Sequence, residues 1–259
     1  MKLMLAHNYV DQDVKEWWMS EKLDGIRAYW DGTQFFSRTE KEIKAPKAFL
    51  DEMPKDMCLD GELCCGRGKF NETSSIVRKT KDVDKYTDEW LNKITYHVFD
   101  TPNTNTFEVR MAELYDKVGE KYDNIEIVKQ IKIYKKSDVE NHLKKIINIG
   151  GEGLMLRKFD SPYESKRSKS LLKVKEFHDM EVIIIGYKEG TGKYTGKLGS
   201  YECETKEGKK FNCGSGLDDD MREERLDVGV FITVKYFELS KEGVPRFPVF
   251  LRKAERQEF

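Results

Sequence analysis

No apolar run in this chain approaches the roughly 18 residues that a membrane-spanning helix requires. The opening stretch, MKLMLAHNYVDQ, holds one lysine and a short apolar run, too little for the hydrophobic region of a secretion signal. Export is not expected, and a cytoplasmic setting away from membranes is. Cysteine is sparse and irregular: Cys58, Cys64, Cys65, Cys203 and Cys213 make an odd count with no Cys-x-x-Cys. That pattern suits neither a disulfide framework nor a thiolate zinc site, and it points to a reducing interior. The four histidines, His7, His97, His142 and His178, are scattered without paired spacing and read as packing or surface residues. With only 6 prolines there is no Pro- or Ser-rich linker, and no repeat or low-complexity segment is present. A charge surplus is missing as well. The 46 basic and 47 acidic residues leave a net charge of −1, so nothing in the total favours a polyanionic partner.

What is present is a chain of 259 residues, 38% hydrophobic and 36% charged, large enough for two modest domains or one large one. IRAYW and TQFFS flank Asp31-Gly32, a hairpin signal. APKAFLDEM reads as a short helix, MCLDGELCC as a strand, Asn71 to Lys79 as a second helix and ITYHVF as a buried strand. In FEVRMAELYDKVGEKY the apolar residues fall at helical spacing, whereas IEIVKQIKIY alternates as one strand. Ser137-Asp138-Val139-Glu140 has the form of a capping box opening a helix that ends at Gly150-Gly151, followed by strands through GLMLRK and LLKVK. From DMEVIIIGY onward the texture turns to short strands and glycine loops with one acidic helical piece, DDDMREERL, which reads as a small barrel. The joint is placed near Glu176–Asp179.

The stretch SEKLDGIR sets Lys22 beside Glu21, Asp24, Gly25 and Arg27. It is either a solvated turn or the floor of a nucleotide pocket with Lys22 as nucleophile. A lysine attacks only as the free amine, and its ordinary pKa of about 10.4 calls for burial or nearby cations. Arg27 and the pair Lys173/Lys175 could supply those cations. Lys173 and Lys175 stand two apart, so on a strand they leave one face. Asp60-Gly61-Glu62 and Glu152-Gly153 each place a carboxylate at a strand end, able to hold a divalent cation against a polyphosphate or else simply to end turns. Between Arg157 and Lys175 lie seven basic residues (Arg157, Lys158, Lys166, Arg167, Lys169, Lys173, Lys175) against Asp160 and Glu164, a phosphate-seeking patch or a solvated loop. GYKEGTGK misses the P-loop spacing by one residue, and Tyr194 stands where a serine or threonine belongs.

Taken in order, these segments resemble the motifs of the covalent nucleotidyltransferases, and most closely those of minimal ATP-dependent DNA ligases of the latchless bacterial type. EKLDGIR is similar to their nucleophile motif, with Lys22 as the adenylylated residue. FSRTEKEI is similar to the segment whose arginine, here Arg38, holds the nick phosphate. LDGEL places Glu62 at ribose and metal, YHVFD places Phe99 against adenine, and EGLMLR adds Glu152 on the metal side. LLKVK supplies Lys173 and Lys175 for phosphate, and PRFPVFLRKA resembles the closing segment of the oligonucleotide-binding barrel, with Arg246 and Arg252 as its basic residues.

The resemblance implies an α+β protein of two domains. Residues 1–176 would be a mixed α/β nucleotidyltransferase (adenylation) domain and residues 177–259 an OB-fold β-barrel. It implies lysyl-AMP chemistry on ATP with magnesium, or manganese in its place, held through Glu62 and Glu152. ATP or AMP would meet Ser20, Glu21, Lys22, Arg27, Glu62, Phe99, Glu152, Lys173 and Lys175. Nicked double-stranded DNA would meet Arg27, Arg38, Arg157, Lys193, Lys197, Arg246 and Arg252. The implied enzyme is a monomer serving DNA repair, replication or recombination. The loop GTGKYTGKLGS is compact, with no inserted clasp, and neither NAD-recognition residues nor a zinc finger is seen. An RNA ligase or an mRNA guanylyltransferase would share the lysine motif. A non-enzymatic OB-fold DNA-binding protein would form no covalent AMP and would leave the ordered motifs unexplained.

Overall fold

A computed structural model describes residues 2–240 and 242–256. The chain divides into two compact units, Met1–Lys175 and Glu176–Phe259. Among the described residues no helix is long and apolar enough to cross a membrane.

The first unit is built on two sheets. Its strands are β1 (Leu5–Asn8), β2 (Trp18–Glu21), β3 (Ile26–Trp30), β4 (Phe35–Ser37), β5 (Glu42–Ile43), β6 (Leu59–Cys64), β7 (Thr95–Asp100), β8 (Ile125–Ile127), β9 (Ile131–Lys132), β10 (Gly153–Arg157) and β11 (Arg167–Lys175). Its helices are α1 (Lys47–Asp51), α2 (Phe70–Val77), α3 (Thr87–Lys93), α4 (Phe107–Lys117) and α5 (Lys136–Asn148). One sheet has the order β5-β4-β3-β6-β7-β8 and the other β1-β11-β10-β2-β9.

Local chemistry accounts for several elements. The β3–β4 hairpin closes at Asp31, whose Oδ1 accepts from the backbone N–H groups of Thr33 and Gln34, each at 2.8 Å. Short polar side chains favour such turns because they bond their own backbone. The helix α5 opens two residues before the Ser-x-x-Glu expectation, with Lys135 rather than Ser137 at the cap position. Asp138 Oδ2 accepts from the N–H groups of Tyr134 and Lys135 at 3.0 Å, so a carboxylate three residues in, rather than Ser137, satisfies the orphan donors. IEIVKQIKIY is not one strand. Its first part, β8, runs parallel to β7, while β9 pairs antiparallel with β2 in the other sheet. Alternation shows which side chains share a face but not which strand is the partner.

Each sheet packs one face on helices. Trp30, Phe35, Phe49, Trp90 and Tyr96 are buried in one core, with Phe35 4.9 Å from both Trp30 and Tyr96. Met19, Leu154, Leu156, Leu172 and Val174 meet Val139 and Ile146 of α5 in another. The pattern on β11 follows: Leu172 and Val174 enter that core, while Lys173 and Lys175 line a cavity instead.

The second unit carries β12 (His178–Glu189), β13 (Leu198–Glu204), β14 (Lys210–Cys213), β15 (Phe231–Tyr236), β16 (Glu238–Leu239), β17 (Pro245–Arg246), β18 (Val249–Lys253) and a short helix, α6 (Asp219–Glu223). Its antiparallel sheet runs β14-β13-β12-β15-β18 over a core containing Val182, Ile184, Tyr201, Ile232 and Val234. Among the described residues no ladder joins β14 to β18. A single bridge from Ser215 to Val249, with Phe250 N–H donating to the Ser215 carbonyl at 2.8 Å, brings the two edges together. The expected barrel is therefore OB-like and open along most of that seam.

Candidate active site

Lys22 lies one residue beyond β2, and its backbone N–H donates to the Gly153 carbonyl at 2.8 Å, pinning it to β10. Two glycines allow the strands to close around it. A Cβ on Gly25 would stand 2.5 Å from the Leu63 carbonyl oxygen, and one on Gly153, whose φ is +150°, would run into the Val174 carbonyl. Neither position admits a side chain. The Lys22 ammonium donates to one oxygen of Glu152 and the Lys175 ammonium to the other. A single carboxylate thus bridges two lysines. Lys173 sits beside them, and burial, then the charges of Lys175 and Lys22, hold its ammonium below the ordinary lysine range.

Facing these groups, β3, β6 and β7 present a second constellation. Arg27 gives Asp60 a bidentate pair, Nε to Oδ1 and NH2 to Oδ2, each 2.6 Å. Its guanidinium carbon lies 4.6 Å from the Phe99 ring centroid, a cation–π contact. Strand register sets Arg27 opposite Glu62, Glu62 opposite His97 and His97 opposite Glu126, a row of ionisable groups across four strands. Burial pushes the Glu62 carboxyl up to about 7, against the opposing pull of Arg27 and Lys22. Burial also holds the His97 imidazole below its ordinary value.

Between the two sheets lies a cavity of about 350 Å³ lined by Ser20, Glu21, Lys22, Arg27, Arg38, Glu62, Phe99, Arg157, Lys173 and Lys175. The sequence thus named residues that the fold gathers at one place. Glu152 borders an adjoining cavity of about 470 Å³ that also touches Lys22. At that side Glu21 is held by Arg67, whose Nε and NH2 donate at 2.7 and 2.6 Å. Three ammonium groups converging with two carboxylates can hold a polyphosphate. Phe99 and Met155, from opposite sheets, can flank a planar ring.

Sequence reasoning missed three contributors. Met155 is the β10 partner of Ser20, and only strand register shows that it lines the cavity. Asp60 was read merely as part of an acid–glycine turn, although its fully buried carboxylate anchors Arg27. Tyr163 donates to that same carboxylate at 2.7 Å, and no sequence signal marks it. Arg157 requires a correction. It is 5% exposed, and its NH1 lies 3.0 Å from Asp100 Oδ2, beside the fully buried Arg110–Asp100 pair at 2.6 Å. A guanidinium spent inside the domain is not part of a basic surface, so the run from Arg157 to Lys175 overstates that patch.

In the second unit, Lys193 is exposed with its ammonium 4.4 Å from the Tyr194 ring centroid, and Lys197 is ion-paired with Glu223. Arg246 and Arg252 are exposed on β17 and β18.

Residues 4–175 match the ATP dependent DNA ligase domain and residues 189–253 the DNA ligase OB-like domain. A DNA ligase of Haemophilus influenzae is 36% identical over 254 residues, which is 97% of this chain and 91% of that protein. The phage T4 DNA ligase is 32% identical over 44% of this chain and 23% of its own length. Among solved structures, one from a structure–function study of Lig E DNA ligases and their minimal DNA-binding scaffold superimposes with a TM-score of 0.83. It is 37% identical and spans 98% of this chain and 99% of that one. Chlorella virus DNA ligase-adenylate gives a TM-score of 0.57 at 25% identity over 98% and 99%. With both of its units matched and a full-length relative above a third identical, this chain belongs to the ATP-dependent DNA ligases.

Proposed function

We propose that the chain seals nicks in double-stranded DNA, as a monomer, through a covalent AMP on Lys22. The observation that carries this reading is the meeting of Lys22, Lys173 and Lys175 at a cavity that Arg27, Glu62 and Phe99 close from the facing sheet, with Glu152 bridging Lys22 and Lys175.

The reaction has three steps. Lys22, as free amine, attacks the α-phosphate of ATP, forming an N–P bond as pyrophosphate leaves. Lys173 and Lys175 stabilise the charge that builds on the phosphate oxygens. The AMP then passes to the 5′-phosphate of the nick, which Arg38 at the cavity edge positions. Finally the 3′-hydroxyl attacks that phosphate, closing the backbone and releasing AMP. Holding reactants in line is most of what such a site contributes.

Magnesium fits the donor set in a limited way. Among the described residues no three acids or histidines cluster, but Glu62 and Glu152 both approach Lys22, and magnesium commonly takes one or two carboxylates plus substrate phosphates. When bound it would neutralise phosphate charge. The deciding experiment is incubation with α-labelled ATP followed by a nicked duplex. Wild type should carry the label and pass it on, and Lys22→Ala should carry none. Label persisting on Lys22→Ala would remove the assignment.

A further inference from the structure

Asp60 touches no part of the cavity, yet three hydrogen bonds end on its buried carboxylate. Two come from Arg27. The third is the Tyr163 hydroxyl, which donates to Oδ2 at 2.7 Å and in turn accepts the backbone N–H of Met4 at 3.1 Å. Arg27 NH2 also reaches the Met4 carbonyl at 3.4 Å. The result is a closed circuit of Arg27, Asp60, Tyr163 and Met4, entirely behind the wall that carries Arg27. Tyr163 itself does not line the cavity.

A carboxylate can turn about its last bond, and two bonds from one flexible arginine cannot stop the pair from swinging together. A third donor from another segment fixes the carboxylate plane, and with it the fork that Arg27 must match. Burial and the Asp60 charge raise the Tyr163 phenol well above its ordinary range, so it stays a donor at any working pH. We propose that Tyr163 is a positioning residue for the nucleotide, acting through Asp60 to hold the Arg27 guanidinium over Phe99 at the cavity wall. This rests on the reading of that cavity as the ATP pocket.

The test is Tyr163→Phe, which removes one oxygen and keeps the ring. Steady-state ATP–pyrophosphate exchange, in which self-adenylylation runs forward and back and so turns over, is measured in the full chain, well below the variant's melting midpoint, so that lost stability is not mistaken for lost binding. Losing a bond to a charged group should raise KM for ATP about tenfold while kcat stays within about twofold. The second arm repeats the substitution on Arg27→Lys, which keeps the charge but not the fork. If Tyr163 works through Arg27, Tyr163→Phe adds little to KM on that background. An unchanged KM in the folded single variant overturns the proposal, and so does an equal increment on both backgrounds. A wild-type chain that takes no label from ATP would instead overturn the pocket reading, a separate outcome.

Discussion

Glu62 stands directly opposite Arg27 in the β3–β6 pair, yet its carboxyl titrates at about 7 rather than in the ordinary acid range. The reason lies two residue pairs along the ladder: Arg27 is already committed to Asp60, which takes both ends of its fork at 2.6 Å. Glu62 therefore feels a cation it does not bind, and burial outweighs that attraction.

A pH dependence follows from this arrangement. The native state retains the Glu62 proton up to about pH 7, whereas the unfolded chain loses it near 4.3. Glu62 thus stabilises the folded form at low pH, and that contribution is lost as pH rises toward 7. Glu62→Gln removes the cost of ionising a buried group and should stabilise the protein at pH 8 by more than it does at pH 5, while adenylylation falls. Wild-type adenylylation should rise through pH 7 as the carboxylate forms. Thermal melts of both proteins at pH 5 and pH 8 check the first claim, and equal differences at the two pH values would contradict it.

Arg157 separates a structural charge from a DNA contact. Replacing it with methionine takes one of two guanidiniums from Asp100 and leaves the buried Arg110–Asp100 pair intact, so the cost is that of one charged contact, roughly 1.5–3 kcal/mol. Arg157→Met should therefore lower the melting temperature. It should leave the salt dependence of DNA binding unchanged, where a true phosphate contact would remove about 0.9 from the log–log slope.

This residue also shows where the sequence stopped being legible. Counting charges along 157–175 treats neighbours in the chain as neighbours on a surface, but Arg157 answers to Asp100 on β7. By contrast, the alternation LLKVK did reveal that Lys173 and Lys175 share a face, because period two is a property of the strand itself. Hairpin chemistry at Asp31 was local and could be read for the same reason. The crossing of IEIVKQIKIY between sheets and the Asp60–Tyr163 bond were not local. Each depends on a partner far along the chain.

Arg38 is exposed at the cavity edge, in the turn after β4. A group there meets the nick more readily than the bound nucleotide. Arg38→Ala should slow sealing of a nick by about tenfold or more and self-adenylylation by less than about threefold, a cost in line with one charged hydrogen bond. Single-turnover assays of the two steps give the ratio. Equal losses in both would place Arg38 with ATP instead.

The basic residues of the second unit differ in what they have left to offer a duplex. Lys197 is already paired with Glu223, so its replacement frees a carboxylate as well as removing an ammonium. Exposed Arg252 projects from β18, and exposed Lys193 rests on the aromatic face of Tyr194. If this OB-like unit grips DNA by its backbone, each phosphate neutralised contributes about 0.9 to the slope of log affinity against log salt. Lys193→Ala and Arg252→Ala should then each flatten the slope by close to that amount. Binding should weaken equally for duplexes of unrelated sequence, because phosphate contacts carry no base information. Lys197→Ala should flatten it less, since loss of the cation also exposes Glu223 to the phosphates and part of the change appears as repulsion. Titrations of nicked duplex at four salt concentrations on all three variants measure these slopes. A slope unmoved by both Lys193→Ala and Arg252→Ala would mean that this face of the unit does not touch the DNA backbone.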